Sequence, residues 1–341
     1  MTAIYSFYLS LNLLCVHCSL VNDSGWTSLY NDHVEYATVL DSVGNRILVA
    51  RRNMLFLTTD GGKSWSPHSE LPVSVLIRQI IAFDPCGQRI LVNEINGSKE
   101  RGVLLTRDGG LSYQKVLNGS AKGEAMFYTK DTSLIVCVSS KPLGIWCSTD
   151  YGDSWSRHPC KGISNVDSIG VCTVWGTPIG NRLRLIVGMS HPGWLLISDD
   201  TGRSFSKVML PSEFVDSEIP QITDGSRPGE LYACMALSNR RKHSGIFKSE
   251  DYGNTWDTVR SPSSLWCVLA DKHIQGRLWV GQYGYRDALF PDSSILESDD
   301  FGHSWKAFGN KTGKLNWLLR FTADERSLFL ASEEGLSLAH F

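Results

Sequence analysis

The chain has 341 residues, of which 42% are hydrophobic and 20% charged, and its 33 basic and 35 acidic side chains leave a formal net charge of -2. Nothing in that balance suggests a nucleic-acid partner. Aromatics make up 10%, including 11 Trp, which is the composition of a folded β protein without low-complexity or disordered tracts.

The first residues differ from the rest. Ile4 to Leu20 is apolar and uncharged. It has the length of a signal peptide and is borderline for a membrane span. No Lys or Arg precedes it, and the small residues Cys18 and Ser19 offer a cleavage point. The reading is a signal peptide over 1–20 followed by one domain over 22–341. An uncleaved anchor is the alternative, and only then is a membrane partner expected. Four Asn-x-Ser/Thr acceptors, Asn22, Asn96, Asn118 and Asn310, fit a glycoprotein that is secreted or held in the secretory lumen.

Beyond the leader, one pattern recurs: hydroxyl, any residue, Asp, any, Gly, any, hydroxyl, aromatic. Its copies run Thr58–Trp65, Thr106–Tyr113, Ser148–Trp155, Ser198–Phe205, Ser249–Trp256 and Ser298–Trp305. Their aspartates, Asp60, Asp108, Asp150, Asp200, Asp251 and Asp300, are spaced by 48, 42, 50, 51 and 49 residues. A period near fifty marks a repeat architecture. The Asp carboxylate can close a turn on backbone N–H groups two residues on. The Gly supplies a positive φ, and the aromatic opens the next strand. Six equivalent copies cannot serve one active site, so all six aspartates are read as structural.

Each unit holds four β-rich runs. The first has Glu35 to Leu40, Arg46 to Arg51 and Met54 to Thr58, then the strand leaving Trp65. The sixth has Leu265 to Ala270, Arg277 to Gln282 and Ser294 to Ser298, then Trp305 to Phe308. An aspartate ends the first strand of most units: Asp41, Asp84, Asp131, Asp224, Asp271 and Asp324. The fourth unit departs, with Gly176-Thr177-Pro178. After the sixth box come three more strands, to Phe341. At the other end, Asp23 to Tyr30 reads as a degenerate box and a fourth strand. The expected fold is therefore all-β: a seven-bladed β-propeller of four-stranded blades, closed by an N-terminal strand that completes the last blade. Six blades with loose ends is the alternative.

Seven cysteines remain outside the leader, which holds Cys15 and Cys18. If Lys141-Pro142-Leu143 is a three-residue hairpin loop, Cys137 falls opposite Cys147, and a disulfide is expected there. Cys234 and Cys267 sit in apolar runs and read as buried thiols. No Cys-x-x-Cys or His/Cys spacing marks zinc, and no metal or cofactor is expected.

The repeated element resembles the Asp-box, or BNR repeat, of sialidase-like propellers. That superfamily includes sialidases, xyloglucan-degrading glycosidases, photosystem II assembly factors and the luminal domains of sortilin/VPS10 receptors. The resemblance covers residues 22–341 and implies the fold; the same scaffold carries both enzymes and binding proteins. It also implies that the boxes lie on the edge away from the ligand. The aromatic before Gly at Tyr151, Tyr252 and Phe301 is similar to VPS10-type boxes, although the chain has fewer blades than those receptors and lacks their cysteine-rich module. A sialidase would need an Arg-Ile-Pro element and a Tyr-Glu pair, neither of which stands out. A basic stripe and plastid leader, expected of a photosystem assembly factor, are also missing.

Function is expected where first strands begin and where loops surround the channel. Six residues before the turn aspartates stand Glu35, Arg78 and Glu218; Glu124 lies one place further back, and Arg320 nearer its strand's end. Two long connections hold Asn239 to His243 and Tyr283 to Asp287. Arg78, Arg320, Tyr285 and Arg286 are candidate ligand contacts. A glycosidase would draw its two carboxylates from Glu35, Glu124, Asp167 and Glu218. The expectation is a non-catalytic binding or scaffold propeller, VPS10/sortilin-like, that recognises a protein, peptide or glycan. A sialidase-like or xyloglucanase-like glycoside hydrolase is the alternative.

Overall fold

The computed structural model describes residues 26–41, 44–72, 76–95, 102–118, 124–129, 133–140, 143–163, 170–190, 194–211, 217–237, 245–259, 265–282, 295–309, 316–321, 327–332 and 334–340. The side chains of several strand residues, Arg78, Glu124 and Arg320 among them, lie outside that description. So do the expected leader over 1–20, the acceptors Asn22, Asn96 and Asn310, and the candidates Asp167, Tyr285 and Arg286.

The described residues form 28 strands and no helix. The inner strands carry unbroken apolar runs rather than alternating ones, as strands covered on both faces must. All six residues of Leu265–Ala270 are buried, as are all five of Gly102–Thr106. The outermost strands are short and exposed: Ser156–His158, Ser206–Val208 and Asp257–Val259 have three residues each.

The strands follow one plan. β1 (Trp26–Tyr30) is held back for the last sheet. β2 (Tyr36–Val39), β3 (Ile47–Arg51), β4 (Met54–Thr58) and β5 (Ser66–Glu70) form an antiparallel meander. β6 (Leu76–Ala82), β7 (Ile90–Ile95), β8 (Gly102–Thr106) and β9 (Gln114–Asn118) repeat it. So do β10 (Glu124–Thr129), β11 (Leu134–Ser140), β12 (Leu143–Ser148) and β13 (Ser156–His158). An eight-stranded sheet follows. Its first meander is β14 (Gly170–Ile179), β15 (Arg182–Ser190), β16 (Leu195–Ser198) and β17 (Ser206–Val208). Its second is β18 (Ser217–Asp224), β19 (Leu231–Leu237), β20 (Gly245–Ser249) and β21 (Asp257–Val259), joined to the first at the pair Ser190↔Glu218. β22 (Leu265–Ala270), β23 (Leu278–Gln282), β24 (Ile295–Ser298) and β25 (Lys306–Ala307) make another four-stranded sheet.

The last sheet joins the two ends of the chain. β26 (Asn316–Phe321), β27 (Ser327–Ser332) and β28 (Gly335–His340) take β1 as their outer strand, with Trp26 opposite Ala339. Trp26 Nε1 donates to Phe308 O of the sheet before it at 3.1 Å.

The first strands touch one another in sequence: β2 with β6, β6 with β10, β10 with β14, β14 with β18, β18 with β22, and β22 with β26. Val34 N–H closes the circuit on Ser332 O at 3.2 Å, and Phe329, Ala331 and Leu336 share a core with Tyr36 and Val49. Separate apolar clusters fill the remaining sheet-to-sheet spaces. Each fully buried aliphatic or aromatic side chain there contributes roughly 1.5–3 kcal/mol relative to exposure. Sheets packed face to face in a closed ring define a β-propeller.

Two expectations need correction. β14 does not turn at Gly176-Thr177-Pro178. It continues to Ile179, pairing Pro178 with Leu183, and turns at Gly180, whose φ is +59°. The Cys137–Cys147 pairing is not formed either. Ser140 pairs with Leu143, so two residues rather than three separate the strands, and Cys137 faces Trp146 while Cys147 faces Val136. A one-residue slip sends a side chain to the other face of a sheet. Cys137 accordingly packs in the core toward β8 and Cys147 in the core toward β15, and neither is in a disulfide.

Candidate functional site

The Asp-boxes join third to fourth strands, at the same end of the ring as the turns between first and second strands. In the first box, Thr58 Oγ1 donates to Asp60 Oδ1 at 2.7 Å and accepts from the N–H groups of Asp60 and Gly62 at 3.3 and 2.9 Å. Asp60 takes the N–H of Ser64 at 2.9 Å and its hydroxyl at 2.6 Å. The same set recurs around Asp108, Asp150, Asp200, Asp251 and Asp300. The hydroxyl and N–H donors of Ser64, Ser112 and Ser304 lower the carboxyls of Asp60, Asp108 and Asp300 to about 2. At Asp150 and Asp200 burial opposes the shift, but the donors of Ser154 and Ser204 outweigh it and the result is again about 2. Each carboxylate is thus engaged within its own turn and held ionised.

The residue after each Asp is also left-handed. Gly61 and Gly109 hold that place in two boxes, but Tyr151, Thr201, Tyr252 and Phe301 hold it in the others, with φ of 57–61°. The rings at two of these places make contacts outside the box. Tyr151 stacks edge-on against Phe83 at 5.4 Å, and Lys248 lies 4.7 Å from the Phe301 centroid. A Tyr–Glu contact is also present at this end: Tyr232 Oη donates to Glu230 Oε1 at 3.0 Å. Glu230 is buried, and it also accepts from Ser226 and Arg227 N–H groups. It therefore staples the β18–β19 turn.

The opposite end of the ring, where first strands begin, is built differently. Five of the first strands carry a β-bulge against their second strands. The register shifts between Ile77 and Gln79, Val171 and Thr173, Glu218 and Gln221, Leu265 and Cys267, and Asn316 and Leu318. Bulges at a barrel rim re-aim side chains and interrupt pairing. The residues inside these five shifts are Arg78, Cys172, Ile219 with Pro220, Trp266 and Trp317. Arg78, singled out from the sequence, is thus a bulge residue, and Glu218 flanks another.

Glu35 lies at the same level but is engaged. Its carboxylate accepts from Arg52 N–H at 3.1 Å and from Ile77 N–H, in the next sheet, at 2.8 Å. Burial pushes this carboxyl up to about 7, against the two N–H bonds and the Arg52 charge. Gln79, which the sequence reading missed, makes the corresponding link one sheet on. Its Nε2 donates to Met126 O at 2.7 Å, and its Oε1 accepts Met126 N–H at 2.9 Å. A lone Gln in the apolar run Leu-Ile-Arg-Gln-Ile-Ile-Ala was the available signal. Glu218 is half-buried and pairs with Ser190 and Ala236. Arg320 and Glu124 are placed in β26 and β10. Asn118 ends β9 with its side chain exposed. Among the described residues no cluster of His, Cys, Asp and Glu could hold a metal ion.

Six box turns, each closing a blade-like meander in a ring, define an Asp-box β-propeller. The chain matches the BNR/Asp-box repeat family over residues 56–67, the first of those turns. A curated relative, a xyloglucanase from Paenibacillus sp, is 23% identical over 246 residues; the match covers 69% of this chain and 22% of that enzyme. Solved structures with the same fold include YCF48 bound to D1 peptide, at TM-score 0.64 and 14% identity, covering 94% of this chain and 98% of that one. The Niastella koreensis GH74 enzyme superposes at TM-score 0.66 and 14% identity over 92% of this chain and 53% of its own.

Proposed function

We propose that this chain is a seven-bladed Asp-box propeller of the secretory lumen or the extracellular space. It binds a protein, peptide or glycan at the bulged mouth of its channel and performs no chemistry there. The blade count rests on treating the two meanders of the eight-stranded sheet separately. A full apolar core, with Ile186, Ile197, Ile222 and Phe247, lies between them. Arg184 of the first reaches Tyr252 O in the box of the second at 3.2 Å, just as Arg89 reaches Tyr151 O one meander on at 3.2 Å. The location rests on the leader over 1–20 and the Asn-x-Ser/Thr acceptors.

The observation that carries the binding reading is the set of bulges at the end away from the boxes. The box end spends its polar groups on its own turns, whereas the other end interrupts strand pairing at five places. Arg78, the residue inside one of these shifts, is assigned to a polar or charged group of the ligand. A solved neighbour of the same fold holds a peptide, which supports the choice of ligand class. Panels of immobilised peptides and glycans probed with the purified protein test this. A ligand whose retention is lost in Arg78→Ala, with unchanged melting, is the expected result. A ligand lost only on disrupting Asp60 or Asp300 would place the site at the other end.

The glycoside hydrolase alternative draws on the xyloglucanase relative. Its test is release of reducing ends from xyloglucan and β-glucans, and of sialic acid from sialosides. Turnover abolished by Glu218→Gln or Glu124→Gln would favour it over binding alone.

A further inference from the structure

We infer that Glu35 is a positioning residue that pins the bulge at Arg78 across two sheets, so that binding of a proton at Glu35 sets how firmly this part of the mouth is held. The inference rests on the reading of the bulged end as the ligand mouth, and it adds a control to it.

The geometry is specific. Glu35 immediately precedes β2, and its two carboxylate oxygens go to different sheets. Oε1 takes the N–H of Arg52 in the β3–β4 turn of its own sheet. Oε2 takes the N–H of Ile77 in β6. Ile77 is the last residue in register before the shift to Gln79, so Arg78 is the residue the bulge leaves between them. Holding Ile77 N–H from outside the ladder fixes the backbone on one side of Arg78. On the other side the Gln79 amide clamps Met126 in β10. The bulge is therefore gripped from both flanking sheets, by a titratable group on one side and by a neutral amide on the other.

Among the described side chains the charged group facing Glu35 is Arg52, from its own sheet. β6 presents the Ile77 N–H, beside Arg78, whose side chain lies outside the described residues, and the closing sheet presents Ser332 O to the neighbouring Val34. Only 9% of Glu35 is exposed. In this setting the ionised carboxylate gains from two N–H donors but loses its hydration, and burial wins. Linkage then fixes the direction. The closed arrangement takes up a proton more readily than any locally opened one in which Glu35 meets water, so closure tightens as the pH falls through about 7. Gln79 has no such response.

Amide hydrogen exchange of the full chain, followed residue by residue and corrected for intrinsic rates, reads this without any ligand. Protection of Ile77 N–H is expected to rise as the pH falls from 8 to 6, by up to about tenfold per pH unit. Protection of Met126 N–H should stay flat, provided it opens locally. Glu35→Gln should abolish the pH dependence at Ile77. Should that variant fold poorly, Arg52→Gly keeps the backbone N–H at a residue whose φ is already +53° and removes the charge. It should move the midpoint upward, because the Arg52 charge lowers the carboxyl's pKa. A flat Ile77 profile in the native protein, or a profile that survives Glu35→Gln, overturns the inference. Neither outcome bears on whether peptides or glycans bind. Failure of the ligand panels alone would leave this exchange result standing and overturn only the functional reading.

Discussion

Gly202 lies against Ile145 of the preceding sheet: a Cβ built on Gly202 would fall 2.6 Å from Ile145 Cγ2. Other box glycines repeat this relationship. Gly62 meets Leu29, Gly110 meets Ser69, Gly152 meets Leu91 and Gly253 meets Ile186, each in the meander before it around the ring. The box glycine therefore serves the turn and also seats the neighbouring sheet.

This dual role predicts a graded pair of substitutions. Gly202→Ala meets both a positive φ of 84° and the Ile145 side chain. It should cost roughly 2–4 kcal/mol in urea unfolding. Gly180→Ala, at φ +59° with open space around it, should cost only about 1–2 kcal/mol. Equal losses in the two variants would refute the seating role.

The boxes were legible in the sequence because their chemistry is local. Two hydroxyls, a carboxylate and a glycine within seven residues make the recurring side-chain hydrogen bonds of the turn, so spacing alone reveals them. The closure by Trp26–Tyr30 was legible for a related reason: the last unit lacked a strand and the first segment supplied one. Other features were not local. The left-handed residue after each Asp is hidden where it is Tyr or Phe, because no glycine signals it. Cys137 and Cys147 were misplaced by a single residue of loop length, which is enough to put them on opposite faces. The partner that occupies Glu35 is Ile77, 42 residues away in another sheet, and no pattern within one unit points to it. The bulges at Arg78 and Trp266 likewise depend on register between strands, which residue types alone do not fix.

Asp251→Ala should lower stability without altering ligand affinity per folded molecule. The carboxylate holds Thr255 N–H at 2.9 Å and Thr255 Oγ1 at 2.6 Å, and it receives the hydroxyl of buried Ser249 at 2.8 Å. Leaving such groups unpaired costs about 1–3 kcal/mol. Thermal melting alongside retention on any peptide or glycan found by panel screening checks both halves. Lost retention with unchanged melting would contradict the structural role.

Acid should weaken the ring through the boxes together. The Asp60, Asp108 and Asp300 carboxyls are lowered to about 2 from an ordinary 3.8. A folded-state depression stabilises above the unfolded value and is lost as pH falls through the folded one. The urea midpoint should therefore drop between pH 4 and pH 2, and Asp300→Asn should make that drop shallower. An unchanged acid slope in Asp300→Asn would show that other carboxylates govern it.

Thiol labelling distinguishes the observed register from the expected disulfide. Cys86 is exposed in the turn after Asp84, whereas Cys147 is buried beside His158 Nδ1 at 3.7 Å. Burial pushes the Cys147 thiol up to about 11, so little thiolate forms at pH 8. A thiol reagent at that pH should label Cys86 first among the described cysteines. Cys137 and Cys147 should react only on unfolding, without any reductant. A Cys137–Cys147 linked peptide in a non-reduced digest would overturn the register assigned to β11 and β12.

The same carboxyl that pins the Arg78 bulge should give global stability a pH dependence opposite in sign to that of the boxes. The Glu35 value is raised from 4.5 to about 7 on folding, chiefly by burial. A raised folded-state value means the folded chain holds the proton more tightly. The associated stabilisation is full below 4.5 and fades as the pH climbs through 7. Over that window the slope from this one group is at most about 1.4 kcal/mol per pH unit. Glu35→Gln should flatten it, while the decline below pH 4 set by the box aspartates remains. Urea unfolding of both proteins from pH 3 to 8 separates the two regimes. A Glu35→Gln variant that retains the native slope between pH 5 and 7 would assign that slope to another group.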